Sequence, residues 1–232
     1  MLQRTAREAL GLSLKDHVVV IDEAHNLMDA ILGIYTIEVS LAQLQRARQQ
    51  LTIYLQKFRN KLRGKNRVYV TQVVRLIDSL TTFIQNTMKS PESRSRTVSG
   101  TDLLCGKGVD QINLYKLIHY LQESRLARKV EGYVAHEQQQ VKPRTGPASK
   151  QEVEVTVPVL THLESFLLVL TNPAREGRFF YVVEDETAGP RIKYMLLDPS
   201  EYFRDVVEEA RAVVLAGGTM SPVRTSPWNV RL

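Results

Sequence analysis

Two kinds of apolar pattern alternate along this chain. Close to each end, a short unbroken apolar run stops at polar residues: HVVVI at His17–Ile21 and AVVLA at Ala212–Ala216. Runs of this length predict strands buried on both faces, as in a parallel sheet covered by helices. Between them the apolar spacing becomes helical. Leu44, Ala47, Leu51, Leu55, Phe58 and Leu62 form one stripe, which predicts a helix stopping at Gly64. Val70, Val73, Ile77, Leu80 and Ile84 form a second stripe. The connection is short, so the pair predicts an antiparallel α-hairpin. Its start is marked by Ser40-Leu41-Ala42-Gln43, a capping box in which the Ser40 hydroxyl accepts from Gln43 and the Gln43 side chain reaches back. Val39 and Leu44 stand where a hydrophobic staple needs them.

The flanking segments follow the same logic. Leu2, Ala6 and Leu10 predict a short helix over residues 2–12, and YTIEV (Tyr35–Val39) an extended segment. Met88–Gly100 is polar, basic and aperiodic, which predicts a flexible loop, and residues 136–152 share that character. Helices are expected over 110–130, 158–170 and 199–211, the last with Pro199 near its first turn. RFFYVVED and RIKYMLL, separated by ETAGP, predict two strands and a turn. The class is therefore α/β, with strands toward both ends and a mostly helical stretch between. In open α/β sheets ligands gather at the carboxyl ends of strands, so the loops after Ile21 and Ala216 are candidates for one site.

Composition changes this picture in one place. A chain of 232 residues with 43% hydrophobic and 24% charged residues is ordinary for a globular protein and supplies a sizeable core. Apolar runs such as Phe166–Leu170 are far too short to cross a bilayer, and no basic-then-apolar leader opens the chain, so neither secretion nor a membrane is expected. Cys105 is the single cysteine, which excludes internal disulfides and cysteine-only metal clusters and fits a reducing compartment. The net charge of +6 is unevenly spread. Ser40 to Ile77 holds Arg46, Arg48, Lys57, Arg59, Lys61, Arg63, Lys65, Arg67 and Arg75 and no acid. A helical face so charged suits a nucleic-acid backbone, because each neutralised phosphate releases counterions. Its plainer reading is a solvated face balanced by acids elsewhere in the fold. Arg48, Arg59 and Arg63 fall off the apolar stripe at helical spacing, and Lys65 and Arg67 crowd the turn, so these five are the candidate DNA-binding residues.

The first strand runs straight into Asp22-Glu23-Ala24-His25. In nucleoside triphosphatases an acid here serves a magnesium ion bridging the outer phosphates, and its neighbour orients the attacking water. Asp22 and Glu23 are candidates for those roles, and His25 is a donor able to sense a neighbouring loop. The plainer alternative is a surface turn with an incidental acid pair. The last strand opens into GGTMSP, where Gly218, Thr219 and Ser221 form a candidate sensor of the acid loop, or simply a glycine turn ending a strand. Three other patterns fail. GTDLLCGKG (Gly100–Gly108) has five residues between its glycines where a phosphate loop has four, and Gly108 replaces the Ser or Thr. His136-Glu137 begins a zinc-protease pattern that breaks at Gln140. Cys105, with no second thiol, is expected to be a small buried residue.

Together VVVIDEAHN and VVLAGGTMSP resemble motifs II and III of the XPD-like superfamily 2 iron–sulphur DEAH helicases. KDHVVVIDEAHNL, DQINLYKLIHY and LLDPSEYF resemble most the Chl-related branch, the DEAD/H-box cohesion helicases linked to Warsaw breakage syndrome. The resemblance covers nearly the whole chain, with residues 88–100 and 136–158 matching least. It implies a partial RecA-like (P-loop NTPase type) parallel sheet interrupted by a mostly α-helical Arch-type insertion. Residues 1–39 and 176–232 would belong to the motor domain and 40–175 to the insertion. It also implies ATP-dependent translocation on single-stranded DNA and unwinding, with Mg2+ and ATP as cofactors. Asp22 would serve the metal, Glu23 the water, and His25 the second motif at Gly218, Thr219 and Ser221. The implied partners are DNA, the remainder of the motor, and replication or cohesion proteins, in a nuclear setting of DNA repair and sister-chromatid cohesion. The departures are specific. The chain has no GKT phosphate loop, no second motor domain, and one cysteine where the family's 4Fe-4S cluster takes four, so no cluster is expected on this chain. The ending after Pro222, VRTSPWNVRL, does not resemble the family's continuation and suggests a divergent splice end or a truncation. This stretch alone is expected to turn over no ATP. The rival expectation is a non-enzymatic helical module that binds nucleic acid or protein and retains DEAH as a relic.

Overall fold

The computed structural model describes residues 2–62, 64–89, 95–106, 108–141, 158–171, 177–183 and 189–218. In chain order the elements are α1 (Arg4–Ala9), β1 (Val18–Ile21), α2 (Leu27–Tyr35), β2 (Ile37–Ser40), α3 (Leu41–Lys57), α4 (Gly64–Met88), β3 (Ser95–Val98), α5 (Gly100–Leu103) and α6 (Leu114–Ser124). They continue with α7 (Leu126–Val141), α8 (Val159–Val169), β4 (Gly177–Val182), β5 (Arg191–Leu196), α9 (Ser200–Glu209) and β6 (Ala212–Leu215). These form a mixed α/β structure in two compact units. None of the described helices is long and apolar enough to cross a membrane.

The first unit holds the described residues before 37 and after 194, with 177–178. Here β1 and β6 pair in parallel, Val18 opposite Ala212 through Ile21 opposite Leu215, as the two apolar runs predict. Val19, Ile21, Val213 and Leu215 pack on a core of Leu14, Leu27, Ile31, Leu196, Phe203 and Val206. The expectation of strands buried on both faces is corrected. Val18, Val20 and Val214 are 55%, 65% and 48% exposed, because the helices of this unit cover one face of a two-stranded sheet. The expected inward position of Leu10 is also corrected, since it is 72% exposed. Arg7 takes the inward side of α1 instead, buried and bonded to the Leu2 carbonyl and the Glu209 carboxylate. Glu209 also accepts from the Leu14 amide, and that bond, followed by Arg7, holds its carboxyl below the usual range.

The second unit holds residues 37–171, 179–183 and 189–194 as far as they are described. Its centre is the α3–α4 hairpin, where Leu44, Ala47 and Leu51 meet Val70, Val73, Ile77, Leu80 and Ile84 in one buried cluster. Burying side chains of this kind stabilises by about 1.5–3 kcal/mol each relative to exposure. The expected capping box is present: the Ser40 hydroxyl accepts from the Gln43 amide and Gln43 Oε1 accepts from the Ser40 amide. The staple residues Val39 and Leu44 are both buried. Leu160, Leu163, Phe166 and Leu167 of α8 close the core. A sheet in the order β2-β5-β4-β3 lies in this unit, with β2 antiparallel to β5 and β3 antiparallel to β4.

Four local expectations change. Gly64 does not stop the first helix, which ends at Lys57; with φ +50° it opens α4. Part of the expected 88–100 loop is the strand β3, placed by its ladder to β4 and by the burial of Val98. The helix expected over 110–130 breaks at Arg125, whose left-handed φ of +49° separates α6 from α7. Helix α7 then runs to Val141, into the stretch expected to lack structure; residues 142–152 lie outside the described residues. The ETAGP turn falls mostly outside them as well.

Candidate functional site

Two regions carry the candidate chemistry, one in each unit. In the first, parallel pairing brings the carboxyl ends of β1 and β6 side by side. The Ala216 amide donates to the Ile21 carbonyl at 2.9 Å, and beyond the strands the Ala24 amide donates to the Ala216 carbonyl at 2.8 Å. The acid loop is thus tied to the chain leading into Gly217 and Gly218. Ala24, buried at 7%, makes that tie through its backbone. Sequence reasoning assigned the linking role to His25 and missed Ala24, since a backbone amide leaves no signature in residue type.

Asp22 and Glu23 are both exposed. Asp22 Oδ1 accepts from the Glu23 amide at 2.9 Å, which leaves Oδ2 open. Glu23 sits in the left-handed region at φ +50°, ψ +44°, a conformation that costs a residue with a Cβ about 1–2 kcal/mol. Backbone strain held at a loop after a strand is a pattern found at functional sites. The Glu23 carboxylate meets His25 Nδ1 at 3.1 Å, so the structure joins these two side chains. Gly218 is exposed, while Thr219 and Ser221 lie outside the described residues. A cleft of about 370 Å³ runs beside the loop, lined by Val19, Ile21, Leu27 and Val206 with Asp22 and Glu23 at its polar edge.

The donors of the acid loop fit magnesium with ATP. Magnesium keeps most of its waters and takes one or two carboxylates plus phosphate oxygens, and two exposed carboxylates without a Lys or Arg partner suit that mode. No group of three or more His, Cys, Asp or Glu side chains able to cage an ion occurs among the described residues. Backbone cradling of phosphates needs a loop that the sequence does not contain.

In the second unit, the basic block divides by partner. Arg48 Nε donates to Asp78 across the hairpin, and that bond raises the guanidinium pKa further. Arg59, Lys65 and Arg67 are exposed and have no side-chain partner among the described residues. Arg63 lies outside the described residues. Tyr54, Phe58 and Tyr133 cluster beside the end of α3, with ring centroids 4.6–6.5 Å apart. Cys105 is exposed, which corrects its expected burial: Ser79 Oγ holds the Leu103 and Cys105 carbonyls, and the thiol is left outside the core.

Comparison with known proteins bears on the same residues. The family model DEAD_2 matches residues 1–44, which include the acid loop. The "ATP-dependent DNA helicase chl1" of Aspergillus clavatus is 52% identical over 229 residues, covering 96% of this chain. Over nearly its whole length the chain is thus similar in sequence to a CHL1 helicase. The helicase of the same name from Schizosaccharomyces pombe is 40% identical over 235 residues, again covering 96% of this chain. The chain spans 29% of the Aspergillus protein's length and 28% of the fission-yeast protein's. Among solved structures, Xpd4 of S. tokodaii aligns with 93% of this chain and 36% of its own at a TM-score of 0.47 and 18% identity.

Proposed function

We propose that the chain is a stretch of an ATP-dependent DNA helicase that carries its metal-and-water loop, its sensor loop and a DNA-facing hairpin. The observation that supports this best is the pairing of β1 with β6, which sets the Asp22–Glu23 loop against the chain entering Gly217–Gly218. Bound magnesium with ATP would neutralise charge developing on the phosphate oxygens. Asp22 would hold the metal's water shell through its open oxygen. Glu23, its carboxylate steered by His25, would orient the attacking water and accept its proton. Movement at Gly218, Thr219 and Ser221 would reach the acid loop through the Ala24–Ala216 bond. Arg59, Lys65 and Arg67, with Arg63, would hold a single strand by its phosphates, with Arg48 bracing the hairpin. The remainder of the motor would supply the phosphate loop, so this stretch alone turns over no ATP. The setting is the nucleus, in repair and sister-chromatid cohesion alongside replication or cohesion proteins.

The test is phosphate release from ATP, alone and with single-stranded DNA. The isolated chain should release none. In a polypeptide of the relatives' full length, Asp22→Asn with Glu23→Gln should abolish turnover and leave DNA binding intact. Turnover that survives both substitutions would overturn the assigned roles and favour the binding-module reading.

A further inference from the structure

A cleft of about 350 Å³ lies between the start of α4 and the chain entering α6. Helix α4 contributes Lys65, Tyr69 and Gln72, and the other wall contributes Gln111, Asn113 and Lys116. No lining residue is acidic. Neither ammonium has a hydrogen-bond or ion-pair partner among the described residues, in contrast to Arg48. Asn113 Oδ1 accepts from the Lys116 amide at 3.0 Å, which fixes the carboxamide and leaves its NH2 as two open donors. Tyr69 is braced by Tyr120, the rings stacked at 4.5 Å and 19°. Val68 adds an exposed apolar edge, 56% accessible.

We infer that this cleft holds one nucleotide unit of single-stranded DNA. Lys65 and Lys116 take the phosphate, Tyr69 offers the base a ring surface, and the carboxamides of Gln72, Gln111 and Asn113 meet the base edge. The chemistry favours a nucleotide over an acidic peptide. The acidic side chains of a peptide would satisfy the two lysines, and its backbone amides the carboxamides, but an acidic side chain has no π face to set against Tyr69. A base presents donors, acceptors and a π face together. The volume lies at the lower end for small-ligand clefts, the size of a single unit. This inference rests on the reading that the hairpin handles DNA, and extends it to residues beyond the basic block.

Fluorescence anisotropy of the whole chain with labelled oligothymidine, across a salt series, tests it. Lys116→Gln should weaken binding and reduce the slope of log K against log salt by about 0.7, the share of one phosphate contact on a single strand. An abasic strand should bind the unsubstituted chain about tenfold more weakly than oligothymidine, the scale of one stacked base. Gln72→Ala with Gln111→Ala should shrink that difference, without disturbing the Tyr69–Tyr120 stack. If these variants bind as the unsubstituted chain does while Arg59→Gln with Arg67→Gln weakens binding, the cleft falls and the hairpin reading stands. If the unsubstituted chain binds no single-stranded DNA, both fall. Competition by a polyglutamate peptide as strong as that by unlabelled oligothymidine overturns the nucleotide in favour of an acidic peptide.

Discussion

Replacing Glu131 by alanine removes the cap from a helix that cannot cap itself. Helix α8 begins after Pro158, which has no side-chain hydrogen bond to give, so its first amides look elsewhere. Glu131, reaching over from α7, supplies the acceptors. Its Oε1 accepts from the Leu160 amide at 2.9 Å and the Thr161 amide at 3.0 Å, and its Oε2 from the Thr161 hydroxyl at 3.1 Å. These are the second and third amides of the helix, the ones an N-cap side chain would satisfy. Loss of a cap costs about 1 kcal/mol, and loss of a carboxylate at a helix N-terminus roughly 0.3–1 kcal/mol more. The orphaned Thr161 hydroxyl adds up to about 1 kcal/mol. One term runs the other way: Glu131 repels the Glu164 carboxylate, and that repulsion disappears with it. The net expectation for Glu131→Ala is about 2 kcal/mol of destabilisation, or roughly 4–8 °C in the melting temperature. Glu131→Gln retains an acceptor oxygen and should lose about half as much. The assay is thermal melting by circular dichroism, paired with amide exchange at Leu160 and Thr161. If Glu131→Ala melts with the unsubstituted chain and both amides stay protected, the capping argument is wrong.

Two further outcomes are expected. Burial, and secondarily Glu131, pushes the Glu164 carboxyl pKa up, so the folded chain holds that proton more tightly than the unfolded chain does. Stability from this group is full below the unfolded carboxyl pKa and is lost as pH rises through the folded one, so Glu164→Gln should raise the melting temperature at neutral pH and gain nothing in acid. Melting curves across that range check the sign, and an equal gain at all pH values would refute it. Arg48→Gln should cost at most about 1 kcal/mol of stability, as an exposed pair does, and leave the salt slope for oligothymidine unchanged, whereas Arg67→Gln should reduce it. A slope lowered equally by both would put Arg48 on the DNA after all.

What was legible in the sequence is what adjacent residues decide. Ser40 and Gln43 satisfy each other within one turn, so their box could be read directly. The two valine-rich runs predicted each other's pairing because strands with few polar positions have few alternatives to a covered sheet. What they could not reveal was how far the cover extends. Val18 and Val20 are exposed because burial depends on what lies over a strand, which the strand's own residues do not specify. Strand β3 was missed for the same kind of reason, since its pairing is supplied by residues 179–182, far along the chain. Arg7 broke the pattern in the opposite direction, a cation made buriable by a carboxylate about two hundred positions away.

The candidate sites repeat this division. Asp22, Glu23 and His25 fall within four consecutive residues, and their meeting in one loop follows from a strand that ends where the apolar run does. The basic block is different, because a count of cations carries no information about partners. Arg48 stands at helical spacing with its neighbours, yet Asp78, thirty positions on, takes its charge. Lys116 sits well outside the block, in a segment with Glu123 close by, yet it lines the same cleft as Lys65. The surface that a phosphate would meet is therefore set by two helix starts brought together by the core between them. Leu117 and Leu121 of α6 and Val70 and Val73 of α4 are buried in one cluster, and those contacts hold the lysines across the cleft. If DNA binding depends on that cleft, a core substitution such as Leu117→Ala would loosen the lysines' spacing and weaken binding without removing a single charge.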